Sequence, residues 1–291
     1  MTKVLITGTN GYIATHLAAW LERFAPDCAV TLLSLRGDAW KSESFAGFDA
    51  VLHLAGLAHI KETEQNKALY DRVNRDLTVQ AAQKAKADGV SRFVFLSSLS
   101  VYDPRALHID AATPLTPATA YGKSKLQAER LLTALAGDRF QVVIVRPPMV
   151  YGPDCPGNFA RLQSLALRCP VFPSLKNARS MIYIDNLCEF LRLSLTLPPG
   201  IYCPQNAEYA CTAEIYRLLR RAAGKRAAPV GLFNPAVHLL AARIGTLEKV
   251  FGDKTCDFSL SAPELAYHVV PFEESLRACL RMQRAQERGL H

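Results

Sequence analysis

The sequence predicts an α/β fold, a Rossmann-type doubly wound parallel sheet followed by a smaller C-terminal substrate-binding part. Three observations predict it. Over residues 1–150, short runs that are apolar throughout alternate with stretches of helical spacing, the pattern of a parallel sheet covered on both faces. A glycine turn at residues 8–14 joins the first apolar run to the first helical stretch. Beyond Pro147 the composition shifts, and residues 152–180 become rich in Pro, Gly and Cys.

The elements follow in order. Val4–Thr7 reads as a buried strand closed by Gly8, and residues 12–24 have the spacing of an amphipathic helix. Strands are expected at 30–33 and 50–54, then a long helix over 66–87 that ends at Asp88-Gly89. A strand at 92–97, a Pro/Thr-rich loop at 103–119, a helix at 120–136 and a strand at 141–145 complete the alternation. In the remainder, helices are expected at 158–168, 185–196, 212–223, 235–250 and 276–288, with short strands at 181–184 and 201–203. The expected layout is a nucleotide-binding domain over 1–151 and a mainly substrate-binding part over 152–291, with segments around 181–203 returning to the first sheet.

Composition narrows the class. The chain has 291 residues, 49% hydrophobic and 21% charged, which excludes an intrinsically disordered protein. No stretch approaches the roughly 18 uninterrupted apolar residues of a membrane span, and the N-terminus lacks the layout of a secretory signal. A soluble, cytoplasmic protein is expected. The eight cysteines are irregularly spaced without a Cys-x-x-Cys pair, as for reduced thiols, and the histidines form no metal-ligand pattern. No metal is therefore expected. The net charge of +8 is uneven: 17 basic against 14 acidic residues over 1–150, and 17 against 12 over 151–291. Neither a basic stripe interleaved with aromatics nor a nucleic-acid-binding module accompanies it, so no nucleic-acid partner is expected.

The turn Gly8-Thr-Asn10-Gly11-Tyr12-Ile13-Ala14 sits where a dinucleotide pyrophosphate binds. Small residues let the backbone approach the phosphates, and the helix N-terminus supplies unpaired N–H groups and the positive end of its dipole. Tyr121-Gly-Lys-Ser-Lys125 places a phenol and an ammonium one helical turn apart on one face. A phenol with its ordinary pKa of about 10 exchanges protons slowly at neutral pH, and a neighbouring cation favours the phenolate. Such a pair can move a proton at a carbonyl or alcohol oxygen while a nicotinamide moves hydride at the same carbon. The hydroxyls of Ser97, Ser98 and Ser100 follow the fourth strand, at the sheet edge where ligands bind.

The spacing Gly-x-x-Gly-x-x-Ala, followed by these serines and by Tyr-x-x-x-Lys, resembles the extended branch of the short-chain dehydrogenase/reductase superfamily. Val51-Leu-His-Leu54-Ala55-Gly56, Val73-Asn74 with Thr78, Arg146-Pro-Pro148-Met-Val-Tyr-Gly-Pro153, Gly157-Asn158-Phe159 and Ile182-Tyr-Ile-Asp185 extend the resemblance to the NAD-dependent epimerase/dehydratase family. The likeness is strong over about 1–190 and weaker beyond. It implies an enzyme acting on nucleotide-activated sugars, with Ser98, Tyr121 and Lys125 catalytic. It also implies that Gly8, Asn10, Gly11, Tyr12, Ile13, Leu54, Ala55, Gly56, Tyr121, Lys125 and Pro148 hold the cofactor. Ser98, Ser100, Asn158 and Arg179 are the implied substrate contacts, the last two at the nucleotide diphosphate.

Where NAD enzymes carry an acidic residue after the second strand, this chain has Ser34, then Leu35 and Arg36. Nothing there repels a 2′-phosphate, and the Arg36 guanidinium can pair with one. NADP(H) is the expected cofactor, with NAD(H) as the alternative. The Asp-Glu pair of the family's 4,6-dehydratases is replaced by Leu99 and Ser100, which argues against dehydration. The closest likeness is to bacterial 4-ketoreductases of UDP-2-acetamido-2,6-dideoxyhexose biosynthesis. That implies NADPH-dependent 4-keto reduction in surface polysaccharide biosynthesis, with UDP-sugar 4-epimerisation as the alternative. A non-catalytic NADP sensor and a reductase of non-sugar carbonyls are the further alternatives. Family members often form homodimers through a four-helix contact, which the helices at 66–87 and 120–136 could supply.

Overall fold

The computed structural model describes residues 1–58, 60, 62–231, 234 and 251–288, with backbone alone for 281–288. The sheet begins with β1 (Thr2–Thr7), α1 (Tyr12–Phe24), β2 (Cys28–Leu33) and β3 (Ala50–His53). Next come α2 (Lys67–Tyr70), a wide π turn (Asp71–Asp76) and α3 (Leu77–Ala87), leading into β4 (Arg92–Leu96). After the short β5 (His108–Ile109), α4 (Ala120–Leu135) and β6 (Gln141–Val145) close the alternation.

Among the described residues the central sheet has six strands, and β10 (Gly200–Tyr202) pairs with β6 at one edge. Its order is β10-β6-β4-β3-β1-β2, parallel throughout. β1 therefore has β2 on one side and β3 on the other. The winding reverses between β1 and β3, which opens a crevice at their carboxyl ends.

Both faces of this sheet are buried, and the two-residue period of the strands sorts their side chains. Val4, Ile6, Val94 and Val143 pack with Leu17 and Leu21 of α1 and with Ile184 and Leu187. Leu5, Phe93, Phe95 and Ile144 point the other way, against Ala81 and Ala85 of α3 and Ala128 and Leu132 of α4. Strands apolar at every position are thus the direct result of helices on both sides.

The C-terminal part contributes α5 (Asn158–Arg168), α6 (Ile184–Leu193), α7 (Thr212–Ala222) and α8 (Phe272–Arg288). β7 (Met149–Tyr151) pairs with β9 (Met181–Tyr183), β8 (Val171–Pro173) with β11 (Ala228–Val230), and β5 with β12 (Thr255–Cys256). Of the segment around 181–203, Gly200–Tyr202 joins the central sheet, whereas Met181–Tyr183 forms a separate two-stranded sheet.

Two elements differ in extent from the sequence reading. The helix expected over 66–87 contains the π turn, inside which Asn74 is fully buried and bonded to the main chain of Leu57 and to Ser124. The terminal helix starts at Phe272, directly after Pro271 and with Glu273 and Glu274 in its first turn, favourable residues for a helix start. The helix expected at 235–250 lies outside the described residues.

Candidate active site

The glycine turn lies at the crevice between β1 and β3. Gly8 has φ +93°, and a Cβ on it would stand 2.9 Å from the Ala55 Cα. Only glycine permits this backbone against that neighbour. The Gly8 N–H donates to the Leu33 carbonyl and the Gly11 N–H to the Gly8 carbonyl, closing the turn onto the end of β2. No side chain caps α1 at Gly11, and its first turn holds no acidic residue. Asn10 and Gly11 are exposed there, while Tyr12 and Ile13 are half-buried. This geometry fits a dinucleotide diphosphate, since the first-turn N–H groups and the dipole face outward.

Leu54, Ala55 and Gly56 form the opposite wall of the crevice. A Cβ on Gly56 would lie 3.2 Å from both the Asn74 Oδ1 and the Lys125 Nζ, which ties this wall to the lysine. Pro148 is half-buried after β6, and the neighbouring Pro147 carbonyl accepts from the Leu99 N–H at 3.1 Å. Arg36 leaves the end of β2 exposed, its own N–H donating to the Ser34 hydroxyl.

Ser98, Tyr121 and Lys125 converge beside that wall. Thr119 caps α4 by accepting from the Gly122 N–H, and the Glu62 carboxylate accepts from the Ala120 N–H at 2.8 Å. Gly122 sits so close to the 99–101 turn that a Cβ on it would be 2.3 Å from the Ser100 carbonyl oxygen. Tyr121 and Ser98 are thereby held together. Burial raises the phenol above its ordinary pKa, and a hydrogen bond with Ser98 opposes the rise. The direction is opposite to the lowering expected from a neighbouring cation. Burial outweighs any such lowering; the Lys125 ammonium donates to the Leu96 carbonyl at 2.8 Å and lies 4.6 Å from the Phe95 ring centre. Burial lowers the Lys125 pKa to about 8.

The three candidate serines separate by environment. Ser97 is buried and donates to Glu129. Ser98 caps the 99–101 turn, accepting from the Ser100 N–H and donating to the exposed Ser100 hydroxyl, both at 3.1 Å.

Behind them lies a polar layer that motif spacing does not single out. Glu129 and Arg146, both buried, pair at 2.6 Å, and Arg146 also donates to the Tyr102 hydroxyl at 2.8 Å. Glu129 stands one turn beyond Lys125 on the same face of α4, so a carboxylate on an inward face was the available signal.

His53 joins the sheet to α3. The Thr78 hydroxyl donates to the Asn74 carbonyl, so it accepts from the His53 Nε2–H at 3.0 Å. The unprotonated Nδ1 then accepts from Thr7 at 3.0 Å. Burial, and secondarily Lys125, lowers the His53 pKa to about 3, so the ring is neutral.

At the other end of the site, Asn158 and Arg179 line one cleft with Met149, Met181, Thr212 and Ile215. Asn158 opens α5 after Gly157, whose φ is +94°. The Arg179 Nη1 donates to the Gly252 carbonyl at 2.6 Å, and its main chain bridges Ala210 and Lys254. Among the described residues, no group of three or more His, Cys, Asp or Glu is placed to hold a metal. None of the described helices is long and apolar enough to cross a membrane. All eight cysteines are free thiols, five of them buried.

A parallel sheet with a switch-point crevice and an uncapped helix N-terminus beside it defines a Rossmann-like α/β protein. The chain belongs to the NAD dependent epimerase/dehydratase family, whose sequence profile matches residues 4–203. A UDP-glucose 4-epimerase from Vibrio cholerae is 32% identical over 250 residues, covering 77% of this chain and 76% of that protein. A GDP-6-deoxy-D-mannose reductase from Pseudomonas aeruginosa is 29% identical over 170 residues, covering 54% and 55%. Among solved structures, a UDP-glucuronic acid 4-epimerase from Bacillus cereus in complex with NAD aligns with a TM-score of 0.76 at 21% identity. The alignment covers 98% of this chain and 99% of that one. RMD from Pseudomonas aeruginosa complexed with NADPH aligns at 0.70 and 23%, covering 98% and 100%. At those identities the two structures speak to the fold.

Proposed function

We propose that this chain is an NADPH-dependent reductase of the 4-keto group of a nucleotide-activated sugar, of the UDP-2-acetamido-2,6-dideoxyhexose type, serving bacterial surface polysaccharide biosynthesis. The observation that carries the proposal is the meeting of Ser98, Tyr121 and Lys125 beside the switch-point crevice, with Leu99 and Ser100 where a dehydratase would carry two acids. The first 151 residues hold the cofactor in this reading, and the remainder mainly holds the substrate.

Gly8 to Ile13, Leu54 to Gly56 and Pro148 form the cofactor's walls. Arg36 pairs with a 2′-phosphate, which makes NADP(H) the preferred form and NAD(H) the alternative. The bound nicotinamide supplies the hydride. Tyr121 gives its proton to the oxygen that was the ketone, and the raised phenol pKa keeps that proton in place for the reductive direction. Ser98 hydrogen-bonds the same oxygen, with Ser100 beside it. Lys125, charged below about pH 8, offsets the negative charge left on the phenolate. Asn158 and Arg179 hold the diphosphate.

A second reading, 4-epimerisation, is favoured by the likeness to the Vibrio cholerae epimerase. Stoichiometry decides between them. A reductase consumes one NADPH per keto-sugar, whereas interconversion of two sugars without net NADPH loss would replace the first reading by the second. Tighter binding of NADH than of NADPH would remove Arg36 from its assigned role.

A further inference from the structure

Part of the excess positive charge of the C-terminal half falls on two segments that meet. Segments 155–184 and 215–231 contain nine Lys and Arg and no Asp or Glu. Two of the nine serve elsewhere in the fold. Arg179 lines the substrate cleft, and buried Arg220 donates to the Ala166 and Cys169 carbonyls.

Several of the others meet where α5 and α7 end together. Arg217, Arg221 and Lys225 line one surface concavity with Ala227. The Lys225 ammonium donates to the Leu167 carbonyl at 2.9 Å, which brings the concavity beside exposed Arg168. Val171 and Ala228 are paired in register, so the strands leaving both helices begin at the same place. Arg226, also exposed, lies between these points in the chain. The acid of α7 is Glu214, paired with Arg217 at 2.6 Å.

Two large apolar side chains are exposed at this surface, Leu165 and Val171, each 42% accessible. Arg168 stands one turn from Leu165 on α5, on the same face. Cations beside exposed aliphatic groups match an anionic phospholipid surface: the charges meet headgroup phosphates while the aliphatic groups enter the acyl boundary. A surface for single-stranded nucleic acid would instead call for exposed aromatics to stack on bases, and Leu165 and Val171 are aliphatic. The location adds meaning. The opposite, N-terminal ends of the same two helices carry Asn158 and Thr212 of the substrate cleft. An 11-residue helix is about 16 Å long, so the cleft lies roughly that far from the basic surface.

We propose that the surface formed by Leu165, Arg168, Val171, Arg217, Arg221 and Lys225 docks the protein on an anionic phospholipid bilayer. The proposal is independent of which reaction the site performs. Cosedimentation of the full chain with vesicles tests it, using phosphatidylcholine alone and phosphatidylcholine mixed with phosphatidylglycerol. The expected result is binding to the mixed vesicles, little to the neutral ones, and loss of binding on adding salt.

The variant Arg168→Glu/Arg221→Glu changes two exposed side chains and should weaken partitioning more than tenfold, given about fivefold per basic residue near such a surface. Leu165→Ser should weaken it severalfold. Both variants should keep the parent Tm, NADPH affinity and turnover. Three results would overturn the proposal: no sedimentation with anionic vesicles, binding unaffected by Arg168→Glu/Arg221→Glu, or retention on duplex DNA or RNA in place of vesicles.

Discussion

At one end of the candidate site, Ser98, Tyr121 and Lys125 rest on a sealed polar layer. Glu129 pairs there with Arg146, with Ser97 and Tyr102 closing the network, and every member is less than a tenth exposed. At the other end, Asn158 lines a cleft with Arg179, which rests on main-chain groups drawn from distant segments. Arg179 reaches Gly252 through its side chain, and its backbone meets Ala210 and Lys254. The first end is built from side chains whose charges leave each other no alternative partner in a dry interior, so its geometry is stiff. The second end depends on the relative placement of chain segments, and its polar groups face a cleft. On the proposed function, a stiff reaction end holds the proton donor in line while the other end seats the substrate.

Removing the proposed proton donor is the strongest way to break the first end. Tyr121→Phe should lower turnover by up to roughly 10⁴-fold, equivalent to about 5 kcal/mol, while NADPH titration shows unchanged binding. Retained turnover would remove Tyr121 from the chemistry. Next comes the supporting layer. Glu129→Gln strands the Arg146 charge in the interior and should cost about 3–5 kcal/mol in urea unfolding. The double change Glu129→Gln/Arg146→Met should recover much of that loss. If it does not, the network holds the fold by packing rather than by charge.

The cleft end should respond differently. Arg179→Ala should raise KM about 10- to 100-fold and leave kcat nearly unchanged, as expected for lost hydrogen bonds to a charged diphosphate. A fall in kcat with unchanged KM would move Arg179 to the reaction end.

A pH effect separates the two halves more gently. The folded-state pKa of His53, about 3, lies below its ordinary 6.5, so between these values the unfolded chain binds one more proton than the folded one. Stability should therefore fall as pH drops below 6.5, by up to about 1.4 kcal/mol per unit, and His53→Gln should flatten that slope in thermal melts. The smallest effect is expected at an exposed pair: Glu214→Gln should leave Tm within measurement error, since Glu214 and Arg217 meet in solvent.

Much of the reaction end was legible in the sequence because its parts lie within single elements. Tyr121 and Lys125 share a helix face, and the glycine turn joins β1 directly to α1. The helix over 158–168 follows from its own periodicity and ends where the sequence indicates. The π turn around Asn74 was not legible, because its cause is the side chain's bonding to Leu57 and Ser124 rather than local propensity. Nor were the pairings of β5 with β12 and of β8 with β11, since two- and three-residue strands carry no usable period.

By itself, then, the sequence determined the alternation of buried strands and helices, the position of the glycine turn and the spacing of the tyrosine and lysine. These rest on backbone sterics and periodicity, which act over a few residues. Tertiary structure alone decided where the Lys125 ammonium points, which partner Glu129 takes and that the phenol's pKa rises rather than falls. Each of those depends on which groups share a low-dielectric interior, and distant parts of the chain meet there only once it has folded.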